Sequence, residues 1–334
     1  MKRYSADQIH WLKNHIPKDR EEYLEITAHA GSSPVEFPRT VYLEVGVDCN
    51  LDCTFCSKPT RRPFTRIMEE EHLMRVVDEC AANGVYALYC HLFNEPLIHI
   101  KMLVKVIRRA KEKGIPIVAV TTNVTPLTAK NMGLLIEAGL DTLHCSFEGA
   151  DHANYRVVRG ADPVGMEQKI HGALAVREKM NRRNAKGQLM PWVAITHMHT
   201  HETDVQISAF LKKWNGVVDD VEIRPVLGFL GRTAIGMALI PGHRIPCRYL
   251  GDRLIIAADG TATGCSVDVD AALNLGNIID GDTIRGIWHS DNYRNLWALH
   301  QWQQWHKLPE PCKSCDSWDF LATERSRHLK QTIR

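Results

Sequence analysis

Seven of the ten cysteines fall into two groups, and both are spaced to hold metal. Cys49, Cys53 and Cys56 form a CxxxCxxC run, while Cys247, Cys265, Cys312 and Cys315 end in a CxxC pair. In a reducing compartment such clustered thiols read first as ligands rather than as a disulfide scaffold. Three thiolates at the first spacing can coordinate three irons of a cubane iron–sulfur cluster and leave the fourth iron open to a small molecule. Four thiolates close a cluster completely, giving a centre that carries electrons without binding substrate. Zinc is the competing metal for both groups, since CxxC is also a zinc-knuckle pattern. The first group, with no fourth Cys or His nearby, is poorly suited to tetrahedral closure. Cys80, Cys90 and Cys145 stand apart.

The elements that must position these groups follow from hydrophobic periodicity. Between residues 41 and 226, short β-branched runs alternate with amphipathic helical stretches, the pattern of repeated βα units on a parallel sheet. Six strands are expected, at Val41–Val47, Val85–His91, Pro116–Thr121, Thr142–Phe147, Trp192–Met198 and Val221–Val226. Leu73, Val76, Val77, Cys80 and Ala81 recur at helical spacing before Gly84, and Leu103, Val106, Ile107 and Ala110 repeat the pattern before Gly114. The expected fold class is α/β: a partial (β/α)6 TIM-like barrel over residues 41–232, with its working loops at the C-terminal strand ends. Residues 1–40 read as an N-terminal helical extension, with a capping box at Ser5 and Gln8. Residues 233–320 read as a small domain organised by a metal rather than by a core, and residues 321–334 as a C-terminal tail.

The first cysteine run directly follows the first expected strand, and with an aromatic at Phe55 it resembles the CxxxCxφC motif of the radical SAM superfamily. The resemblance implies that Cys49, Cys53 and Cys56 carry a [4Fe–4S] cluster whose open iron chelates S-adenosylmethionine, with Phe55 near the adenine. It implies further cofactor contacts from Asn94 and Glu95 in Phe93-Asn94-Glu95-Pro96, where the family usually has Gly-Gly-Glu-Pro, and from Thr122, Asn123, Ser146, Glu148 and Arg159. The second group resembles the twitch domain, a shortened SPASM extension, with Leu275-Gly276-Asn277-Ile278 and Ile287-Trp288-His289-Ser290 fitting the same pattern. A second, auxiliary [4Fe–4S] cluster on Cys247, Cys265, Cys312 and Cys315 is what that resemblance implies.

The implied chemistry is a 5′-deoxyadenosyl radical that abstracts hydrogen from an unactivated C–H bond of a small-molecule substrate, the electrons coming from a flavodoxin- or ferredoxin-like donor. In layout the chain resembles the 2-deoxy-scyllo-inosamine dehydrogenase type, which implies oxidation of a secondary alcohol of a sugar or aminocyclitol, with the auxiliary cluster as electron acceptor. A base is then needed, and His197, in the alternating run His197/His199/His201 at the end of the fifth strand, is the preferred candidate. Arg224, ending the sixth strand, could hold an anionic group. Cys90, near the end of the second, could return a hydrogen atom, as an epimerase would require. Cys80 reads as a core residue, and Cys145 has opposite strand parity to Ser146. Epimerisation, sugar-acid decarboxylation and peptide maturation remain alternatives within the class; the short stretch before the first strand favours a small molecule over a leader-bearing peptide. A zinc-binding structural protein is the alternative outside it.

Composition narrows partners but names none. With 44% hydrophobic residues, 24% charged residues and a formal charge of +2, the chain lacks the basic excess of a nucleic-acid binder. No signal-peptide core or stretch of about 18 apolar residues is present, so a cytoplasmic protein is expected. The oligomeric state is not legible.

Overall fold

The structure is a computed structural model that describes residues 35–148, 152–161, 163–199, 206–225, 244, 246, 247 and 249–315. Residues 1–34 with the Ser5/Gln8 box, the join expected at 232/233, His201 and the tail 321–334 lie outside the described residues.

Six parallel strands run in chain order across the sheet: β1 (Thr40–Leu43), β2 (Ala87–Tyr89), β3 (Ile117–Thr122), β4 (Thr142–Ser146), β5 (Trp192–His199) and β6 (Asp220–Pro225). The crossovers carry α1 (Glu70–Ala82), α2 (Ile100–Glu112), α3 (Ala129–Ala138), α4 (His152–Arg159) with α5 (Val164–Met180), and α6 (Ile207–Trp214). This is the expected α/β architecture, an unclosed barrel with β6 at one edge. The helices end as their spacing predicts. Gly84 and Gly114 take φ of +71° and +87°, and the next amides, Val85 and Ile115, return to the carbonyls of Cys80 and Ala110 at 2.9 Å. The first two strands are shorter than expected, because the chain leaves the sheet after Leu43 and Tyr89 to build loops.

Strand parity divides the sheet into two faces. Val41, Leu43, Leu88, Cys90, Val118, Val120, Leu143, Cys145, Val193 and Ile195 join one core with Leu73, Val76, Leu103 and Ile107 of the covering helices. The opposite parity carries Tyr42, Tyr89, His91, Thr121, His144, Ser146, Thr196, Glu222 and Arg224, most of them only half-buried. That polar face lines the barrel interior.

The C-terminal segment departs from expectation. Its first strand, β7 (Arg253–Ile256), pairs in parallel with β1, from Thr40 opposite Arg253 to Leu43 opposite Ile256. β8 (Thr261–Thr263) and β9 (Gly276–Asn277) follow antiparallel, so one nine-stranded sheet runs through both parts. Leu254, Ile256, Val267, Leu275, Ile278 and Trp288 belong to the same apolar cluster as the barrel. The segment is therefore built on a shared core, not on metal alone; alternating Leu254/Ile256 and the β-branched Ile278, Ile284 and Ile287 supply it. Three short helices, α7 (Ile284–Trp288), α8 (Asp291–Gln301) and α9 (Glu310–Lys313), complete it.

Candidate active site

The first cysteine loop begins where β1 ends. Gly46 has φ of +82°, and a Cβ there would stand 2.3 Å from the His99 ring, so a side chain would strain the backbone and push that ring aside. The loop is tied down by Thr54, whose amide donates to the Val158 carbonyl at 2.9 Å. Cys53 and Phe55 pack on Val158, with Leu51, Cys56 and Met198 against them. Each of the three sulfurs faces an N–H donor: Asn123 Nδ2 lies 3.7 Å from Cys49, Arg159 Nη1 3.7 Å from Cys53, and the Lys58 amide 3.4 Å from Cys56.

Arg159 does more than face a sulfur. It is buried, its guanidinium forms a two-point ion pair with buried Glu148, and it lies 5.1 Å from the Phe55 ring centroid. Burial alone would weaken its charge, but Glu148 and Cys53 hold it well above the ordinary arginine value. Thus Glu148, Arg159 and Phe55 brace the cysteine loop. In the structure the Arg159 guanidinium is engaged by Glu148 and by Cys53 Sγ.

Glu95, also buried, accepts hydrogen bonds from the Leu97 amide (3.1 Å), Thr122 Oγ1 (2.8 Å) and the Asn123 amide (2.5 Å). Burial pushes its carboxyl up to about 7 against the pull of these donors. Asn94 accepts from the Leu92 amide within the loop after β2 and donates to the Val45 carbonyl just after β1. Glu95, Thr122 and Asn123 therefore form one connected group that ends on Asn50 and Cys49, bringing together residues that the sequence had suggested separately.

The second group is gathered by the C-terminal segment. The thiol of Cys265 is pushed up by burial and further by the charges of Cys247, Cys312 and Cys315 nearby. Arg244 donates to the Cys312 and Lys313 carbonyls and stacks 5.1 Å from Trp305. The Cys247 amide meets His300 Nδ1 at 3.3 Å.

Two of the three candidate catalytic residues are placed on the wrong face. His197 shares the parity of Val193 and Ile195, is fully buried, and packs at 4.7 Å against Phe210 of α6. Cys90 shares the parity of Leu88, lies in the apolar core, and has a thiol pushed up to about 12 by burial. Neither reaches the interior. Arg224 does face inward, paired with Glu222 at 2.6 Å, and Ser146 shares that face, level with Thr196 and Glu222 across β4, β5 and β6.

Sequence reading missed the residues that occupy the interior. His91 meets Thr121 through both ring nitrogens at 3.1 Å, and Tyr42 and Tyr89 stack at 4.7 Å with His91 edge-on to each at 5.7 Å. His144 Nδ1 lies 3.8 Å from Glu222 Oε1, and Thr196 Oγ1 donates to Glu222 Oε2 at 3.3 Å. Burial, with His144 and Arg224 nearby, pulls His91 down to about 3 and keeps it neutral. Strict alternation along β4 and β6 was the signal that could have found His144 and Glu222.

The thiols themselves test the fit to a cluster. Burial raises Cys53 to about 11, and Cys265 and Cys312 well above a free thiol. Buried thiols that repel one another when ionised need a cation to become thiolates together, and iron supplies it. The N–H donors facing the first three sulfurs suit that charged form. Among the described residues no three ligating side chains close around a single-ion position; a cubane asks for a wider set, one thiolate per iron.

Comparisons with known proteins agree with this geometry. Residues 43–210 match the model of the Radical SAM superfamily, and residues 247–316 that of an iron–sulfur cluster-binding domain, SPASM. The chain is 29% identical over 147 residues to a PqqA peptide cyclase of Granulibacter bethesdensis, covering 44% of this chain and 38% of that protein. It is 30% identical over 125 residues to a probable GTP 3′,8-cyclase of Pyrococcus abyssi, covering 37% and 39%. The matches thus span well under half of these relatives. Among solved structures, BtrN in complex with AdoMet and 2-DOIA superposes with a TM-score of 0.54 at 17% identity, covering 84% of this chain and 93% of that one. SuiB of Streptococcus suis bound to its precursor peptide gives 0.62 at 13% identity, covering 100% and 82%. These last two likenesses are of fold. With half of its length matched by the family model, and with three loop cysteines at the head of an unclosed parallel barrel followed by a four-cysteine SPASM segment, the chain belongs to the radical SAM superfamily and its cofactors are S-adenosylmethionine and two [4Fe–4S] clusters.

Proposed function

We propose that the protein oxidises a secondary alcohol of a small polyhydroxylated molecule, a sugar or an aminocyclitol, to a ketone. The observation that carries this reading is the polar interior: His91, His144, Thr121, Thr196, Glu222 and Arg224 line one face of the sheet that also continues into the segment carrying the second cysteine group. When bound, S-adenosylmethionine and its cluster supply a carbon-centred radical that takes a hydrogen atom from substrate, and the second cluster supplies a one-electron acceptor. The chain must then remove the hydroxyl proton. His144, oriented by Glu222, replaces His197 as the group for that task, because it faces the interior and its imidazole can take a proton with a carboxylate 3.8 Å away to stabilise the cation. Tyr42, Tyr89, Thr121 and neutral His91 offer hydrogen-bonding groups to neighbouring hydroxyls. Epimerisation is less well supported, since Cys90 lies where it cannot hand a hydrogen atom to a molecule in the barrel.

The test uses anaerobically reconstituted protein, a flavodoxin- or ferredoxin-like reductant, S-adenosylmethionine, and polyols or aminocyclitols deuterated at the carbinol carbon. Deuterium in 5′-deoxyadenosine with an equal amount of ketone is the expected result. Deuterium transfer that yields an epimer, or no transfer from any member of the panel, overturns it. The sequence similarity to a peptide cyclase supports a second reading, peptide modification; a cross-linked peptide from the same assay, with no ketone from polyols, would establish that instead.

A further inference from the structure

Glu44 immediately follows β1 and has no solvent exposure. Its carboxylate accepts from Arg61 Nη1 at 2.7 Å and Nη2 at 2.8 Å, from the Phe93 amide at 3.1 Å and from the Ala258 amide at 2.9 Å. One side chain thus joins the segment after the first cysteine loop, the loop after β2, and the β7–β8 hairpin of the auxiliary segment. Arg61 extends the junction by donating from Nε to the Val269 carbonyl at 2.9 Å, with its guanidinium 4.2 Å from the Phe64 ring centroid and 5.2 Å from that of Phe93. Beside it the Arg62 amide and Nε hold Asp270, Arg62 Nη2 holds Asp259 at 2.8 Å, and the Met68 amide meets the Ala258 carbonyl at 2.8 Å.

The same junction connects to both cysteine groups. On one side the Arg61 amide donates to the Lys58 carbonyl at 3.0 Å, and the Lys58 amide to Cys56 Sγ. On the other, Val269 and Asp270 lie just beyond Cys265, whose carbonyl accepts from the Asp268 amide at 3.4 Å. A buried carboxylate carrying a two-point guanidinium contact and two amide contacts has few alternative geometries, so a shift of residues 265–270 cannot be absorbed at Arg61 without breaking charge-assisted bonds.

We propose that Glu44 and Arg61 are positioning residues that couple the two cysteine groups, so that the state of the auxiliary site sets how tightly the first site holds S-adenosylmethionine. The coupling follows from the family-level cofactors and is independent of which substrate is oxidised. It is reciprocal, as any linkage between two equilibrium sites must be.

A double-mutant cycle on the full, reconstituted chain tests it. S-adenosylmethionine is titrated against wild type, a Cys312→Ala/Cys315→Ala variant, Arg61→Ala and the combination, following the cofactor-induced change in the paramagnetic resonance of the first cluster rather than turnover. Affinity should fall by about tenfold in the cysteine variant and in Arg61→Ala, and the combination should be no weaker than either alone. Losses that simply multiply, or a cysteine variant with wild-type affinity, overturn the proposal. Arg66→Ala, which loses only an exposed pair with Asp280, should match wild type. Should Arg61→Ala fail to fold or load iron, Arg61→Lys, which keeps the charge without the fork, takes its place, and the same two outcomes decide with a loss of about threefold.

Discussion

The two faces of the parallel sheet carry the same residue types under opposite physics. His144 and His197 sit on neighbouring strands, yet His144 stands in the polar interior near Glu222 while His197 is sealed against Phe210. Likewise Arg224 pairs with Glu222 half-exposed, whereas Arg159 pairs with Glu148 out of solvent. What a histidine, an arginine or a cysteine can do here is decided by strand parity before it is decided by residue type.

The largest expected effect that would break this contrast is on turnover. His144→Ala should slow substrate oxidation by about 10²–10⁴-fold with the fold intact, while His197→Ala should leave the chemical step nearly unchanged and lose about 2–4 kcal/mol of stability from the vacated core. Steady-state rates and denaturant melts of both variants separate the roles; equal loss of turnover would erase the distinction.

Next come the ion pairs. Arg159→Ala leaves Glu148 buried without its partner and should cost about 3–5 kcal/mol, against about 1 kcal/mol for Arg224→Ala, whose guanidinium is exposed and whose partner Glu222 keeps contacts with Thr196 and His144. Chemical denaturation of the two variants checks the ratio.

The pH dependence of stability sharpens the picture of the interior. His91 is held neutral with its pKa pulled down from 6.5 to about 3. Its contribution is therefore present above pH 6.5 and is lost progressively as pH falls from there toward 3, where the unfolded chain takes up a proton that the folded chain refuses. His91→Gln should flatten that part of the acid limb in thermal melts at fixed ionic strength. An unchanged acid limb would show His91 to be solvated.

The smallest effect concerns the outer cysteines. Cys90 and Cys145, both pushed up to about 12 by burial, should resist alkylation in the native protein at neutral pH and react only on unfolding. Cys90→Ala should cost about 1 kcal/mol and leave oxidation untouched. Mass-resolved thiol labelling reads the first outcome and a melt the second.

Much of this arrangement was legible in the sequence because strands and helices announce their periods. Leu73, Val76, Val77 and Cys80 are the buried face of α1, and the opposite parities of Ser146 and Cys145 hold, with Cys145 in the core. His197 is expected to face substrate, but it shares its parity along β5 with Val193 and Ile195, and those apolar members put its ring in the core against Phe210. Glu44 and Arg61 were illegible for a different reason: they meet across an aperiodic loop, 17 positions apart, and their contacts with Ala258 and Val269 depend on β7 lying beside β1, a pairing between residues more than two hundred positions apart that no local pattern encodes. The shared core of the auxiliary segment was missed on the same account.

That pairing has a consequence for any attempt to cut the molecule down. β1 is an interior strand because β7 occupies its outer side. A chain ended after β6 would expose the unpaired backbone of Thr40–Leu43 beside a large apolar surface once covered by Leu254, Ile256 and Trp288. Such an edge is a template for adding strands from other molecules, so the barrel freed of its auxiliary segment is expected to self-associate rather than remain a monomeric minimal enzyme.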